Sequence, residues 1–342
     1  MLIFEPDPPR LHRTPPDGPN STEPLEFGAG PALAGSLAQA VDAAAAVGYV
    51  LVHGAEVAAQ PAVALTPELL GRLEACVPYW PITNRLTLDL ARAVMARRPE
   101  ASHILLCDTA FFAGLPPLAH TCALPEELRA HGVRRFGGDG LCYQWLARQV
   151  ARIAGPHERM VGVHLCDNPT VAALLDGRPV ETSRGFSPLE GPPSAHGCGD
   201  IDPAIVLLLC SAGMPVAEVT RQLAQTAGFE ALLGRPGTLR DVLAEASPRA
   251  ELARGVLRLA LVKAIGAHLA VLGGADVLAF ACDSPDYHSF VLDLCRDLDF
   301  VGLDRSALAG GGVERASGAS HVRVLELPYP RAAALAELAA GL

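Results

Sequence analysis

Two short runs, GYVLVHG at residues 48–54 and SHILLCD at residues 102–108, constrain the fold of this 342-residue chain more than any other feature. Each holds a few consecutive apolar residues bounded by turn signals, too short for a helix and without polar alternation, which is the pattern of a strand buried on both faces. A helical stretch around TPELLGRLEACV separates them. Strand, helix and strand in that order imply a parallel or mixed sheet covered by helices.

The second half repeats this grammar. Ser247 and Pro248 read as N-cap and first helical residue, and Leu252, Val256, Leu259, Val262, Ile265, Leu269 and Leu272 continue one apolar face, predicted to face the core. Gly273 and Gly274 end that helix, ADVLAFA predicts a buried strand, and HVRVLELP predicts another before a short alanine-rich helix. Residues 8–31, rich in Pro, Gly and polar residues, predict a loop before a helix through SLAQAVDAAAAVG.

Composition narrows the function classes. A chain of this length with 50% hydrophobic residues predicts two domains. A net charge of -10 and a single lysine, Lys263, argue against nucleic acid, whose phosphates need clustered Lys and Arg. An anionic ligand must therefore be met by Arg, backbone N–H groups or a metal. MLIFEPDPPRLHRTPPDGPN carries no signal-peptide pattern, and AIVLLLCSAGMPVA, the longest charge-free apolar stretch, is too short to span a bilayer. Nine cysteines without a C-x-x-C pair fit reduced thiols in a cytoplasm, and Cys166, Cys198 and Cys282 with His164 and His196 carry no recognised zinc spacing.

LLCDTAFFAGLPPLAHTCALPEEL, HGVRRFGGDGLCYQ, HLCDN, GRPVETSRGFSPLEG and CGDIDPAI follow, in order and spacing from Val52 to about Asp304, the pattern of the acetate kinase family. The resemblance implies the two-domain α/β, ribonuclease H-like fold shared with sugar kinases, actin and heat-shock ATPases. It divides the chain into a first domain of residues 1–110, completed by 321–342, and a nucleotide-side and dimerisation domain of residues 111–320. It also implies ATP and magnesium as cofactors if the protein is active, a short carboxylate as substrate, and a homodimer.

The resemblance assigns roles and shows departures from the family pattern. Asp108 matches the catalytic aspartate that also helps place magnesium. Asp139 replaces a histidine, exchanging a donor for an acceptor beside phosphate. Gly197 stands where the family has its transition-state arginine, a group contributing roughly 10³ to 10⁵ in rate. His53, Asn84, His164 and Arg184 fall on the substrate and phosphate side, with Val50 at a lost arginine and Cys166-Asp167-Asn168 in place of a Gly-Asn-Gly turn.

On the nucleotide side Arg240 and Asp241 are kept, while Pro236 and Thr238 replace Ser and Asp, and ACDSPDY replaces a glycine-rich turn. Arg331 replaces a metal-linked carboxylate, and MLIFEPDPP resembles the second strand, so that the first strand and its Asn-x-Gly-Ser-Ser-Ser phosphate loop are expected to be missing. Two readings follow: a catalytically impaired family member with a structural, binding or regulatory role, or a divergent carboxylate kinase in which Arg184 or Arg178 supplies the missing charge and another residue holds magnesium.

Overall fold

The computed structural model describes residues 1–6, 9–15, 19–25, 35–155, 159–304 and 322–342. They form two compact units: unit 1 is Met1–Gly114, Cys122–Trp145 and Pro330–Leu342, and unit 2 is Leu115–Thr121 and Leu146–Tyr329. Residues 122–145 thus fall in unit 1 rather than with 111–320, and the C-terminal return to unit 1 begins at Pro330 rather than at 321.

Unit 1 is built on a six-stranded sheet of β1 Leu2–Pro6, β2 Pro9–Arg13, β3 Ser21–Pro24, β4 Ala46–Leu51, β5 Ala62–Ala64 and β6 Ser102–Cys107, in the order β3-β2-β1-β4-β6-β5. The two runs read as buried strands are β4 and β6, paired in parallel. Their central residues are apolar because both sheet faces are covered. Val47, Tyr49 and Leu51 face a core shared with Leu88 and Ala91 of helix Pro81–Arg97, while Ile3, Val50, Ile104 and Leu106 face Leu335 and Leu338 of helix Arg331–Ala340.

One expectation is corrected here. Leu2–Pro6 is not a second strand left behind after loss of the first: it lies inside the sheet, antiparallel to β2 and parallel to β4. The stretch read as a loop accordingly contains β2 and β3. The Asn-x-Gly-Ser-Ser-Ser motif is absent from the sequence, but the strand is present. A local apolar run identifies a strand but not its neighbours in the sheet, which only the pairing on both sides decides.

Unit 2 has a second six-stranded sheet: β7 Arg159–Leu165, β8 Thr170–Leu175, β9 Arg178–Thr182, β10 Val277–Cys282, β11 Leu303–Asp304 and β12 Val322–Pro328, ordered β11-β12-β10-β7-β8-β9. β7, β10, β12 and β11 run parallel, and β8 and β9 continue antiparallel. Helix Pro248–Leu272 packs on it, capped by Ser247 Oγ accepting from the Ala250 N–H at 3.2 Å and ended by Gly273 in the left-handed region at φ 66°.

The core face of this helix matches the expected one in its second half, where Ile265 and Leu269 are buried and Val262 and Leu272 pack against the core, and differs in its first half. Ala253, Leu257, Leu261 and Ile265 are buried in the core, whereas Leu252, Val256 and Leu259 are exposed. The helix is apolar nearly all round, so periodicity admits two stripes, and only packing against the sheet selects one. It is also the one helix among the described residues long and apolar enough to cross a membrane by length and composition. Its buried stripe packs instead against Val161, Val163 and Val171 of the sheet.

Candidate functional site

The acidic centre of unit 1 forms where β6 ends. Asp108 follows Cys107, and the segment carrying Asp139 is drawn against it by its glycines. A Cβ on Gly137 would overlap the Phe112 ring, and one on Gly140 would overlap the Asp108 carbonyl oxygen. Asp139 itself adopts φ 58°, a left-handed conformation that Asp tolerates better than most residues. The Leu141 N–H donates to Asp108 Oδ1 at 3.2 Å. Burial, and then the nearby Asp139 carboxylate, push Asp108 up to about 7, so near neutrality it spends much of its time protonated.

Beside this pair lies a buried network that the sequence reading did not find. Glu5, at the end of β1, is paired with Arg331 at the start of the C-terminal helix. Its other oxygen receives His12 Nε2 at 2.9 Å, and His12 Nδ1 meets Thr22 Oγ1 at 2.9 Å. Burial alone would raise Glu5, but Arg331 and then His12 outweigh it and hold the carboxyl below its ordinary range. Arg331 also acts electrostatically on Asp108. The available signal was alternation in the hairpin, which puts Glu5 and His12 on one face of paired strands.

The two substrate-side residues of unit 1 do different work. Asn84 is spent on the backbone: its Nδ2 donates to the His53 carbonyl at 2.7 Å and the Cys76 carbonyl at 3.0 Å, and its Oδ1 accepts from the His53 N–H at 3.2 Å. This fixes the His53-Gly54 turn, where a Gly54 Cβ would overlap Cys107 Sγ. The His53 ring stacks on Tyr79 at 5.1 Å and meets the edge of Phe136 at 4.6 Å, and the Arg134 guanidinium lies over Phe136.

In unit 2, His164 is the penultimate residue of β7, and Cys166 lies just beyond the strand. Its Nδ1 faces Cys166 Sγ at 3.6 Å and its Nε2 faces Asp283 Oδ1 at 3.2 Å. Asp167 Oδ1 accepts from the Leu239 N–H at 2.9 Å, and the Asp167 carbonyl accepts from the Ala195 N–H at 2.7 Å, so the turn is tied to both the long loop and the start of helix Leu239–Ala244.

The loop from Glu181 to Pro203 is held largely by its own backbone. Arg184 is buried and donates to the Pro188 carbonyl and, at 3.0 Å, to the Asn168 carbonyl. Arg178 is exposed at the start of β9. Gly197 is buried, its N–H donating to Ser194 Oγ at 2.9 Å while its carbonyl accepts from the Ser194 N–H at 3.1 Å. His196 points outward to Glu230 at 3.2 Å.

The nucleotide-side residues are joined to other protein groups. Asp241 forms a capping box with Thr238 at the start of helix Leu239–Ala244. Arg240 reaches Asp286 at 3.1 Å and Ser284 Oγ at 3.1 Å, and that serine caps the short 3₁₀ turn Pro285–Tyr287 that stands in place of a glycine-rich turn. Unit 1 therefore gathers Glu5, Asp108, Asp139 and Arg331, and unit 2 gathers His164, Cys166 and Asp283 at one set of strand ends and Arg240 with the 284–286 turn beside it.

Against this geometry, a family profile described as the Acetokinase family matches residues 21–317. The chain is 30% identical over 267 residues to an acetate kinase from Porphyromonas gingivalis, covering 75% of this chain and 67% of that one. It is 34% identical over 243 residues to an acetate kinase from Desulfotalea psychrophila, covering 69% and 60%. The alignments thus span 60% to 67% of these relatives' lengths. The crystal structure of the Porphyromonas gingivalis acetate kinase matches with a TM-score of 0.79 at 25% identity, covering 97% of this chain and 90% of that one. The two-sheet α/β architecture is the fold of that structure.

Proposed function

Since the chain belongs to the acetokinase family, we propose that it is a member impaired in phosphoryl transfer, keeping the fold for a binding or regulatory role. The observation that carries this reading is the Glu5–Arg331 pair beside Asp108. Phosphoryl transfer depends on positioning and on metal and cationic groups aimed at the phosphoryl oxygens. Here a guanidinium occupies the position at which the family resemblance implies a metal-linked carboxylate, and its charge is already matched by Glu5. Magnesium wants ionised oxygen ligands, so an Asp108 that holds its proton much of the time near neutrality, next to a fixed cation, fits it poorly. Gly197 in place of an arginine, and Arg240 tied to Asp286, support the same reading.

One observation favours a second reading, a divergent carboxylate kinase. Asp139 stands near enough to Asp108 to raise it, and two neighbouring carboxylates make a plausible donor set for a cation. Arg184 does not help this reading, because its guanidinium is engaged with loop carbonyls.

The deciding experiment traps acyl phosphate as a hydroxamate with ATP, magnesium and acetate, propionate or butyrate. The impaired reading expects no product above a boiled control. Linear product formation that disappears in Asp139→Asn would establish the second reading instead. The proposal includes a homodimer, supported by the apolar helix Pro203–Ser211, on which Ile205, Leu207 and Leu208 are exposed, and a cytoplasmic location as part of the same reading.

A further inference from the structure

His164 lies between a thiol and a carboxylate at the carboxyl ends of adjacent parallel strands. Cys166 follows β7 and Asp283 follows β10, with Asp283 N–H donating to the Leu165 carbonyl at 3.0 Å, which fixes the two strand ends against each other. In open α/β sheets such strand ends are where sites form. The Tyr329 ring, just past β12, meets the imidazole edge-on at 5.4 Å. Cys166 and Asp283 come from two separated segments, each of which carries glycines in the pattern that the chain resembles, and both departures converge on one imidazole.

We infer that Cys166, His164 and Asp283 form a nucleophilic thiol site, open to covalent modification by small uncharged electrophiles of the hydroperoxide class. An ionised carboxylate only accepts, so Asp283 holds the proton on His164 Nε2 and leaves Nδ1 with a lone pair facing the thiol. Cys166 transfers its proton to Nδ1, giving a thiolate and an imidazolium whose Nε2–H remains on Asp283. The thiolate attacks one peroxide oxygen and the O–O bond breaks. The departing oxygen takes the proton from Nδ1, so that the thiol becomes a sulfenic acid and the peroxide becomes water or an alcohol.

Size and charge select the electrophile. Cys166 is 5% exposed, which admits only a small reagent. Asp167 and Asp283 act together with Cys166 on the buried Tyr287 hydroxyl, raising it after burial does, so an anionic reagent is repelled, while the Cys166 thiolate is offset by the adjacent His164 imidazolium. Cys282 is an internal reference: it is 3% exposed but belongs to the apolar core with Leu165, on the opposite face of the sheet from His164.

The test treats the full chain with hydrogen peroxide and a sulfenic-acid-trapping dione, or with dilute iodoacetamide, and follows each cysteine peptide by mass spectrometry across a pH series. Cys166 should label about tenfold faster than Cys282 at neutral pH, because a free thiol there is only a few per cent thiolate. Asp283→Asn and His164→Asn should each move the Cys166 profile to higher pH, Asp283→Glu should restore part of the shift, and Cys166→Ser should abolish the labelled peptide. Circular dichroism checks folding of every variant. Labelling of Cys166 no faster than Cys282, or a Cys166 profile unchanged in Asp283→Asn, overturns the inference. Neither result depends on whether the chain transfers phosphate.

Discussion

Glu5 and Arg331, 326 residues apart in sequence, form a part-buried ion pair that ties the first strand of unit 1 to the C-terminal helix. Removing one partner leaves the other charge in a poorly solvated place. Arg331→Met should therefore destabilise the protein by about 3 kcal/mol, and Glu5→Gln with Arg331→Met by clearly less than the two single changes summed. Urea unfolding of the three variants measures this. Additive effects would mean that the pair contributes no coupling.

Asp108 gives the stability a pH dependence of unusual sign for a carboxylate. Its value is about 7 in the folded protein against 3.8 for the free side chain, so between those values the native state holds the proton that the unfolded chain has lost. Stability from this group is present below about pH 4 and declines as pH rises towards 7. Glu5 is shifted the other way, and its contribution fails only in acid. Without magnesium, Asp108→Asn should flatten the decline between pH 5 and 7 and stabilise the protein at about pH 8 by an amount on the order of a few kcal/mol. An unchanged profile by thermal unfolding would place the titration elsewhere.

Restoring two family residues should not restore activity. A Cβ at Gly197 would lie 2.7 Å from Ser194 Oγ, the atom that accepts the Gly197 N–H, so Gly197→Arg should cost about 1–3 kcal/mol from overpacking. Asp139→His with Gly197→Arg still leaves Arg331 on Glu5 and the 3₁₀ turn at Pro285–Tyr287. Acyl-phosphate production within about tenfold of an active relative, a barrier difference of only about 1.4 kcal/mol, would contradict this.

ATP should bind weakly. Arg240 is already paired with Asp286, and residues 282–285 offer side chains where close backbone approach to phosphate favours glycine. A magnesium-dependent micromolar site by calorimetry, equivalent to about -8 kcal/mol, would argue for the divergent-kinase reading.

A homodimer through unit 2 would cover exposed apolar residues. Leu207→Glu with Leu208→Glu should then give a monomer at tens of micromolar by light scattering without loss of helix content, as both side chains are exposed in the single chain. A wild-type monomer under those conditions would remove the proposal.

The strands β4, β6, β10 and β12 and the helix opened by Ser247-Pro248 were legible in the sequence, because short apolar runs and capping residues act locally. The matching segments likewise led to the family, since motif order and spacing are properties of the chain alone. Leu2–Pro6 was read as a strand but assigned to the wrong place in the sheet, because pairing on both sides is not a property of the local sequence.

Local pattern could not choose between two apolar stripes on helix Pro248–Leu272, since both satisfy the helical period and only the sheet decides that Leu257 and Leu261 go inward. Nor could it bring Glu5 to Arg331, Asp139 to Asp108, or Cys166 and Asp283 to either side of His164. The sequence by itself determined which residues are available, the strands and helices that carry them and the family. Which charges meet, and so which carboxylates are neutral or paired, was decided only by the tertiary structure, because burial and Coulomb interaction act through space between segments far apart along the chain.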